Sequence, residues 1–193
     1  MFFAFKSGPP QFVSTQTGAS VDHTLGTTAG KYLQAERLTF STQPDTATIT
    51  SIPIDLSPLT IPEMSFWYHM FGADIDKLIV SVSNNHGATY NQVLVLTGQH
   101  QASNTAAWKE SVINLSSYAN DTVIIRFQAT HINFANTADL GIDDLSIHEQ
   151  PSCPKPQTLV LVGQTNSTAT LQWTTGGATN WNVEYGPVGF TPG

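Results

Sequence analysis

The chain has 193 residues, enough for one medium domain or for one domain and part of another. Only 11% of the residues are charged, against roughly 25% in ordinary globular proteins, while 40% are hydrophobic; that excludes a disordered chain and leaves a surface made largely of Ser, Thr, Asn and Gln. The net charge is −7 and the seven Lys and Arg form no basic run, which speaks against nucleic acid and anionic membranes as partners and is compatible with a hard cation such as calcium.

The opening Met1-Phe2-Phe3-Ala4-Phe5-Lys6 is too short for the apolar region of a signal peptide, and no segment approaches the roughly 20 apolar residues that insert into a bilayer. Alternation sets in at residue 31. It predicts strands over 31–40, 47–55, 64–71, 76–83, 92–97, 109–115, 122–128 and 142–149. Leu78, Val80 and Val82 fall on one face of their segment, with Ser81 and Ser83 on the other. Val123, Ile125 and Phe127 do the same against Arg126 and Gln128. Turn signals separate the segments at Pro44-Asp45, Ser57-Pro58, Gly72-Ala73-Asp74, Asn84-Asn85-His86-Gly87 and residues 133–136. No stretch sustains a helical period. The pattern predicts an all-β fold, a jelly-roll-like antiparallel β-sandwich over residues 1–150.

Pro151, Pro154 and Pro156 mark a Pro-rich linker over 151–157, because closely spaced prolines stop strand pairing. The pattern then restarts in Thr158-Leu159-Val160-Leu161-Val162, Ala169-Thr170-Leu171-Gln172-Trp173 and Trp181-Asn182-Val183-Glu184-Tyr185. These segments resemble the first three strands of a fibronectin type III module, with Trp173 at the core tryptophan and Tyr185 at a frequent third-strand aromatic. Such a module takes roughly 100 residues, so residues 158–193 imply a partial immunoglobulin-like sandwich. The run from Tyr185 to Phe190 stops mid-pattern, which reads as a piece of a longer secreted protein. Cys153 is the single cysteine, so no disulfide can form within the chain.

Several short segments follow one another in a telling order: Asp22-His23-Thr24, then Gly30 through Glu36, then Phe66-Trp67-Tyr68-His69-Met70 with Gly72. Residues 108–115, led by Trp108, residues 123–127 and Ile142-Asp143-Asp144-Leu145 complete the series. Together they resemble the MAM domain, a β-sandwich module of extracellular and cell-surface proteins, and the resemblance covers about residues 10–150. Animal members carry paired cysteines; here Glu63 stands near one such position and Cys153 resembles only the terminal one. The usual N-terminal strand is expected to be missing or truncated. MAM-like and fibronectin-like modules joined by a Cys-Pro-x-Pro linker are similar to secreted bacterial multidomain proteins.

Asp143 and Asp144 are adjacent in a strand, and simple alternation places Asp143 on the face of Leu145 and Ile147, partly buried. A buried carboxylate needs a cation or several donors. First and last strands of jelly rolls often lie side by side, so Asp22, Glu36, Asp143 and Asp144 form a candidate ligand set for a structural Ca²⁺ or Na⁺. The competing reading is that these carboxylates cap backbone N–H groups. The six histidines show no zinc-hydrolase spacing, and no Gly-x-Ser-x-Gly elbow occurs. The five glutamates are far apart, and Asp74 and Asp76 read as a solvated loop. Trp67 and Trp108 are either core residues or stacking platforms for sugars. The sequence therefore predicts a module that is not an enzyme: an adhesion or interaction module of a secreted or cell-surface protein, with a protein or glycan ligand and possible self-association. The alternative is a carbohydrate-binding module attached to a secreted polysaccharide-degrading enzyme or protease.

Overall fold

A computed structural model describes residues 3–8, 17–37, 46–132, 137–152, 157–174 and 180–187. The chain divides into two compact units, Met1–Glu149 and Gln150–Gly193.

The first unit strings together β1 (Phe3–Gly8), β2 (Tyr32–Arg37), β3 (Thr46–Thr50), β4 (Ile54–Asp55) and β5 (Pro62–Phe71). β6 (Ile75–Ser83), β7 (Asn91–Thr97), β8 (Lys109–Asn114), β9 (Thr122–His131) and β10 (Asp139–Glu149) follow. The one helical feature among the described residues is a single 3₁₀ turn, Ser116–Tyr118. One sheet has the order β1-β2-β10-β5-β8; the other has β3-β9-β6-β7, with β4 pairing to β9. Every pairing is antiparallel. Inward side chains of both sheets make one core, in which Phe66 of β5 meets Phe127 of β9 edge-to-face at 5.3 Å. This is the all-β antiparallel sandwich that the alternation predicts, since a strand with one apolar face is stable only when that face packs on another sheet.

Three local features depart from the simple reading. The expected strand over 47–55 is two strands. Pro53 has no N–H to donate and Ile52 stands 80% exposed, while Ser51 keeps the ladder connected by donating its N–H to the Ile125 carbonyl. The N-terminal strand expected to be missing or truncated is present: β1 pairs with β2 in register from Phe3 opposite Arg37 to Gly8 opposite Tyr32. Residues 1–5 are all apolar, so the start of the chain shows no polar–apolar alternation. The expected turn at 133–136 and residues 38–40 of the first predicted strand lie outside the described residues.

The third departure is in β10. Asp143 stands opposite Trp67 and Ser146 opposite Ser65, so three steps on β10 match two on β5. That is a β-bulge with one extra residue, and Asp144 takes up the geometry with φ +48°. Before the bulge Leu140 and Ile142 face the core; after it Ile147 does. Asp143 therefore lies on the outer face with Trp67, not on the face of Ile147, and Leu145 is 46% exposed. A period of two cannot be carried across an inserted residue.

The second unit contains an antiparallel hairpin of β11 (Gln157–Gln164) and β12 (Ala169–Thr174). Trp173 meets Trp181 edge-to-face at 5.6 Å. Strands form at two of the three expected places; residues 181–185 carry none. Leu159, Val160, Leu161 and Val162 are all exposed.

Candidate functional site

The marker segments converge on the outer face of the first sheet, where residues 17–31 fold over β2, β10, β5 and β8. Asp22 is buried and holds the loop in shape: its carboxylate accepts the Leu25 N–H at 2.9 Å and the Thr27 N–H at 3.1 Å. Gly30 is required beside it, because a Cβ there would fall 1.9 Å from the Asp22 carboxyl carbon. His23 stacks on Trp67 with centroids 3.8 Å apart and planes 15° from parallel. Its backbone N–H donates to Asp143 Oδ2 at 2.9 Å, and its Nδ1 lies 2.6 Å from Asp144 Oδ2. Thr24 Oγ1 donates to the other Asp144 oxygen at 2.6 Å. Trp108 Nε1 donates to the Val21 carbonyl at 3.2 Å, and the Tyr32 hydroxyl to the Ala19 carbonyl at 2.9 Å. Gly141 leaves room for Trp108, whose Cη2 would lie 2.6 Å from an added Cβ. Burial pushes the Asp144 carboxyl up, but the hydrogen bonds from His23 and Thr24 and the His23 charge together hold it below the usual carboxylate range.

A second loop, residues 99–107, adjoins this face through Gln101. Its buried amide accepts the Met70 N–H at 2.7 Å and donates to the Tyr68 carbonyl at 3.1 Å. His69 is wholly buried, edge-on to Trp108 at 5.5 Å. Burial lowers its pKa to about 4, so the ring is neutral near pH 7. Backbone groups of Ala106 and Ser103 pull the other way without reaching hydrogen-bond geometry, and neither ring nitrogen has a partner among the described residues.

Of the expected ligand set, the structure brings Asp22, Asp143 and Asp144 to this one loop. Each of their carboxylates accepts from protein donors there, including the Asp144 N–H on Asp143 Oδ1. The Glu36 side chain lies outside the described residues. Its backbone sits three residues past Leu33, while Asp143 lies one residue the other way from Ile142, the partner of Leu33. That is roughly 13 Å along the strand. Among the described residues no three His, Cys, Asp or Glu side chains gather as an ion site. Asp74, expected in a solvated loop, is instead buried and accepts a hydrogen bond from Thr137 Oγ1; Asp139 is likewise buried and accepts from Thr17. Neither expected sugar platform is open: Trp108 is buried and Trp67 lies under His23.

A cleft of about 330 Å³ between the two sheets has no counterpart in the sequence pattern. It is lined by Leu33, Ile49, Phe127 and Ile142, with the charged Lys31 and Asp143 also on its wall. These apolar residues read as ordinary inward positions. Only the separation of the sheets at this end turns them into a cavity wall.

Fold and loop together define a β-sandwich module whose outer face is closed by its own chain. The MAM domain family (meprin/A5/mu) matches residues 6–154, and the protein belongs to that family. Over 150 residues it is 29% identical to neuropilin-1 of Rattus norvegicus and to neuropilin-1 of Homo sapiens, covering 76% of this chain and 15% of each relative. The chain thus spans about 15% of the length of the curated relatives it matches. Among solved structures, the K1 cleaved adhesin domain of Lys-gingipain from Porphyromonas gingivalis W83 superposes with a TM-score of 0.50 at 13% identity, over 77% of this chain and 85% of that one. At that identity the likeness is one of fold. No helix among the described residues is long and apolar enough to cross a membrane.

Proposed function

We propose that residues 1–149 are a non-catalytic adhesion or interaction module of a secreted or cell-surface protein, with a protein as its ligand. One observation carries the reading: the groups at the marker segments that resemble chemistry are engaged in fastening residues 17–31 to the sheet. A rigid sandwich with an open apolar cleft supports recognition by packing, since interface cores are apolar. Residues 157–187 suit a fibronectin-like spacer, a reading supported by the hairpin and the Trp173–Trp181 contact.

Self-association is the form of this reading that needs no further component. Beads coated with the protein are expected to clump, and Leu145→Arg, an exposed change at the cleft, is expected to weaken clumping. Clumping that Leu145→Arg leaves untouched would remove the cleft from the account. The glycan alternative is supported by a different surface, the polar outer face of the second sheet.

A structural Ca²⁺ or Na⁺ at Asp22, Asp143 and Asp144 is the competing account of that loop. An ion that binds only the folded state must raise the melting temperature. Capping of N–H and O–H donors expects no change with millimolar calcium or with chelator. The donors already on these carboxylates favour the second outcome.

A further inference from the structure

β9 is an interior strand of the second sheet, and Arg126 points away from the core, between the inward Ile125 and Phe127. The register sets it opposite Thr50 of β3 on one side and Ser81 of β6 on the other. Tyr90, just before β7, lies against the guanidinium, whose carbon is 3.9 Å from the ring centroid. Gly87, with φ +84°, leaves space for this ring: an added Cβ would come within 3.2 Å of the Tyr90 hydroxyl. Beneath them Ser81 is wholly buried, and neither its hydroxyl nor Arg126 Nε has a hydrogen-bond partner among the described residues.

The charges around Arg126 are as telling. Lys77 is paired with Asp76 at 3.6 Å, and Asp76 also accepts from Thr130 at 2.9 Å. No carboxylate pairs with Arg126 among the described residues, in a protein of net charge −7. A guanidinium carries five donors and no acceptor, and stacking on an aromatic ring holds its plane while leaving edge N–H groups free. Such a fork matches a carboxylate. On the β3 side the face consists of hydroxyls and amides: Thr46, Thr48 and Thr50 are exposed, and Gln128 reaches Thr48 at 3.3 Å. Its apolar members are Ile79 and Val95, opposite each other on the β7 side, and Ile124, two residues before Arg126 on β9. A protein interface would need a broader apolar core on the β3 side. Hydroxyls and amides instead match the ring hydroxyls of a sugar.

We propose that this face binds an acidic polysaccharide, with the carboxylate of a uronic acid residue on Arg126 and its hydroxyls on the threonine and glutamine side chains. The proposal rests on the reading of the domain as a binding module and uses the outer face of the second sheet, which meets the rim of the cleft at Thr50. Affinity electrophoresis through gels containing polygalacturonate or alginate tests it, with hydroxyethylcellulose as the neutral control. The protein is expected to be retarded only by the polyuronates, although its net charge should repel a polyanion, and about 0.5 M sodium chloride should weaken the retardation. Arg126→Gln is expected to reduce affinity about tenfold or more, the scale of one charged hydrogen bond, and Arg126→Lys to restore part of it. Thr50→Glu, an exposed change opposite Arg126, should abolish retardation by offering the guanidinium an internal carboxylate. Leu145→Arg should leave it intact, so failure of the cleft reading and failure of this one are separable. No retardation by either polyuronate, retardation unchanged in both Arg126→Gln and Thr50→Glu, or equal competition by polyglutamate would overturn the assignment.

Discussion

Gly30 shows how tightly the loop over the first sheet is packed. A methyl group at that position would overlap the Asp22 carboxyl, which itself caps two N–H groups of the same loop. Gly30→Ala is expected to lower unfolding stability by about 1–3 kcal/mol, the usual cost of overpacking, measured by urea titration. His69 governs a different dependence. Its pKa falls from 6.5 to about 4 on folding, so between those values the unfolded chain binds the proton and the folded one does not. Its contribution to stability is full above pH 6.5 and is lost as pH falls to about 4, a loss of about 3 kcal/mol. The urea midpoint should drop across that window, and His69→Phe should flatten the drop. Asp144 acts lower on the scale. Its depressed folded value adds stability that is present above its unfolded pKa of 3.8 and disappears as pH falls through the folded value. His23→Ala, which removes the stacked ring and its bond to Asp144, should narrow that acid step.

At the level of the strand, β10 does two jobs that a regular ladder cannot combine. Up to Ile142 it packs even-numbered residues into the core, and beyond the bulge it packs Ile147. The extra residue turns Asp143 and Asp144 toward the loop they hold. Deleting Leu145 should therefore be far worse than trimming it. The deletion removes the extra residue and keeps Ile147 opposite Met64, but it sets Asp144 opposite the core residue Phe66 and away from His23 and Thr24. A carboxylate is thus turned toward the core, and the melting temperature is expected to fall by several degrees. Leu145→Ala, at a half-exposed site, should stay within about 1 kcal/mol of the parent. Circular dichroism melts of the two variants make the comparison. The strands themselves were legible from alternation because each buries one face. The bulge was not, since no residue type at 143–146 announces an inserted position, and β1 was hidden by a start that is apolar at every position through Phe5.

At the scale of the molecule, the two units differ in what they bury. The first has a core drawn from both sheets, whereas the hairpin of β11 and β12 leaves Leu159 to Val162 exposed. Two strands alone are marginally stable in water. Limited proteolysis should accordingly cut within 157–174 before it cuts within 46–132, and cleavage first inside the sandwich would contradict this assignment of stability. The candidate site shows the same division between what could be read and what could not. Asp22, Asp143 and Asp144 were recognisable as neighbours, because first and last strands meet in such folds and β2 does pair with β10. Their bonding was not recognisable, because the His23–Asp143 contact spans 120 positions and depends on the bulge. Arg126 read as a plain outward residue, and Tyr90 carried no signal at all.

The sequence by itself determined the all-β class and most of the strand faces, because a strand with one apolar side is stable only when that side packs on another layer, and the ordered segments carried the resemblance to the family. The tertiary structure alone decided which of the outward groups remain available. Closing the loop spends Trp67, Trp108, His23 and the carboxylates on one face, while the opposite sheet leaves Arg126 stacked and without a carboxylate partner among the described residues. Contacts between residues far apart in the chain have no periodic signature, so only the folded molecule distinguishes a side chain that holds the scaffold from one that faces a ligand.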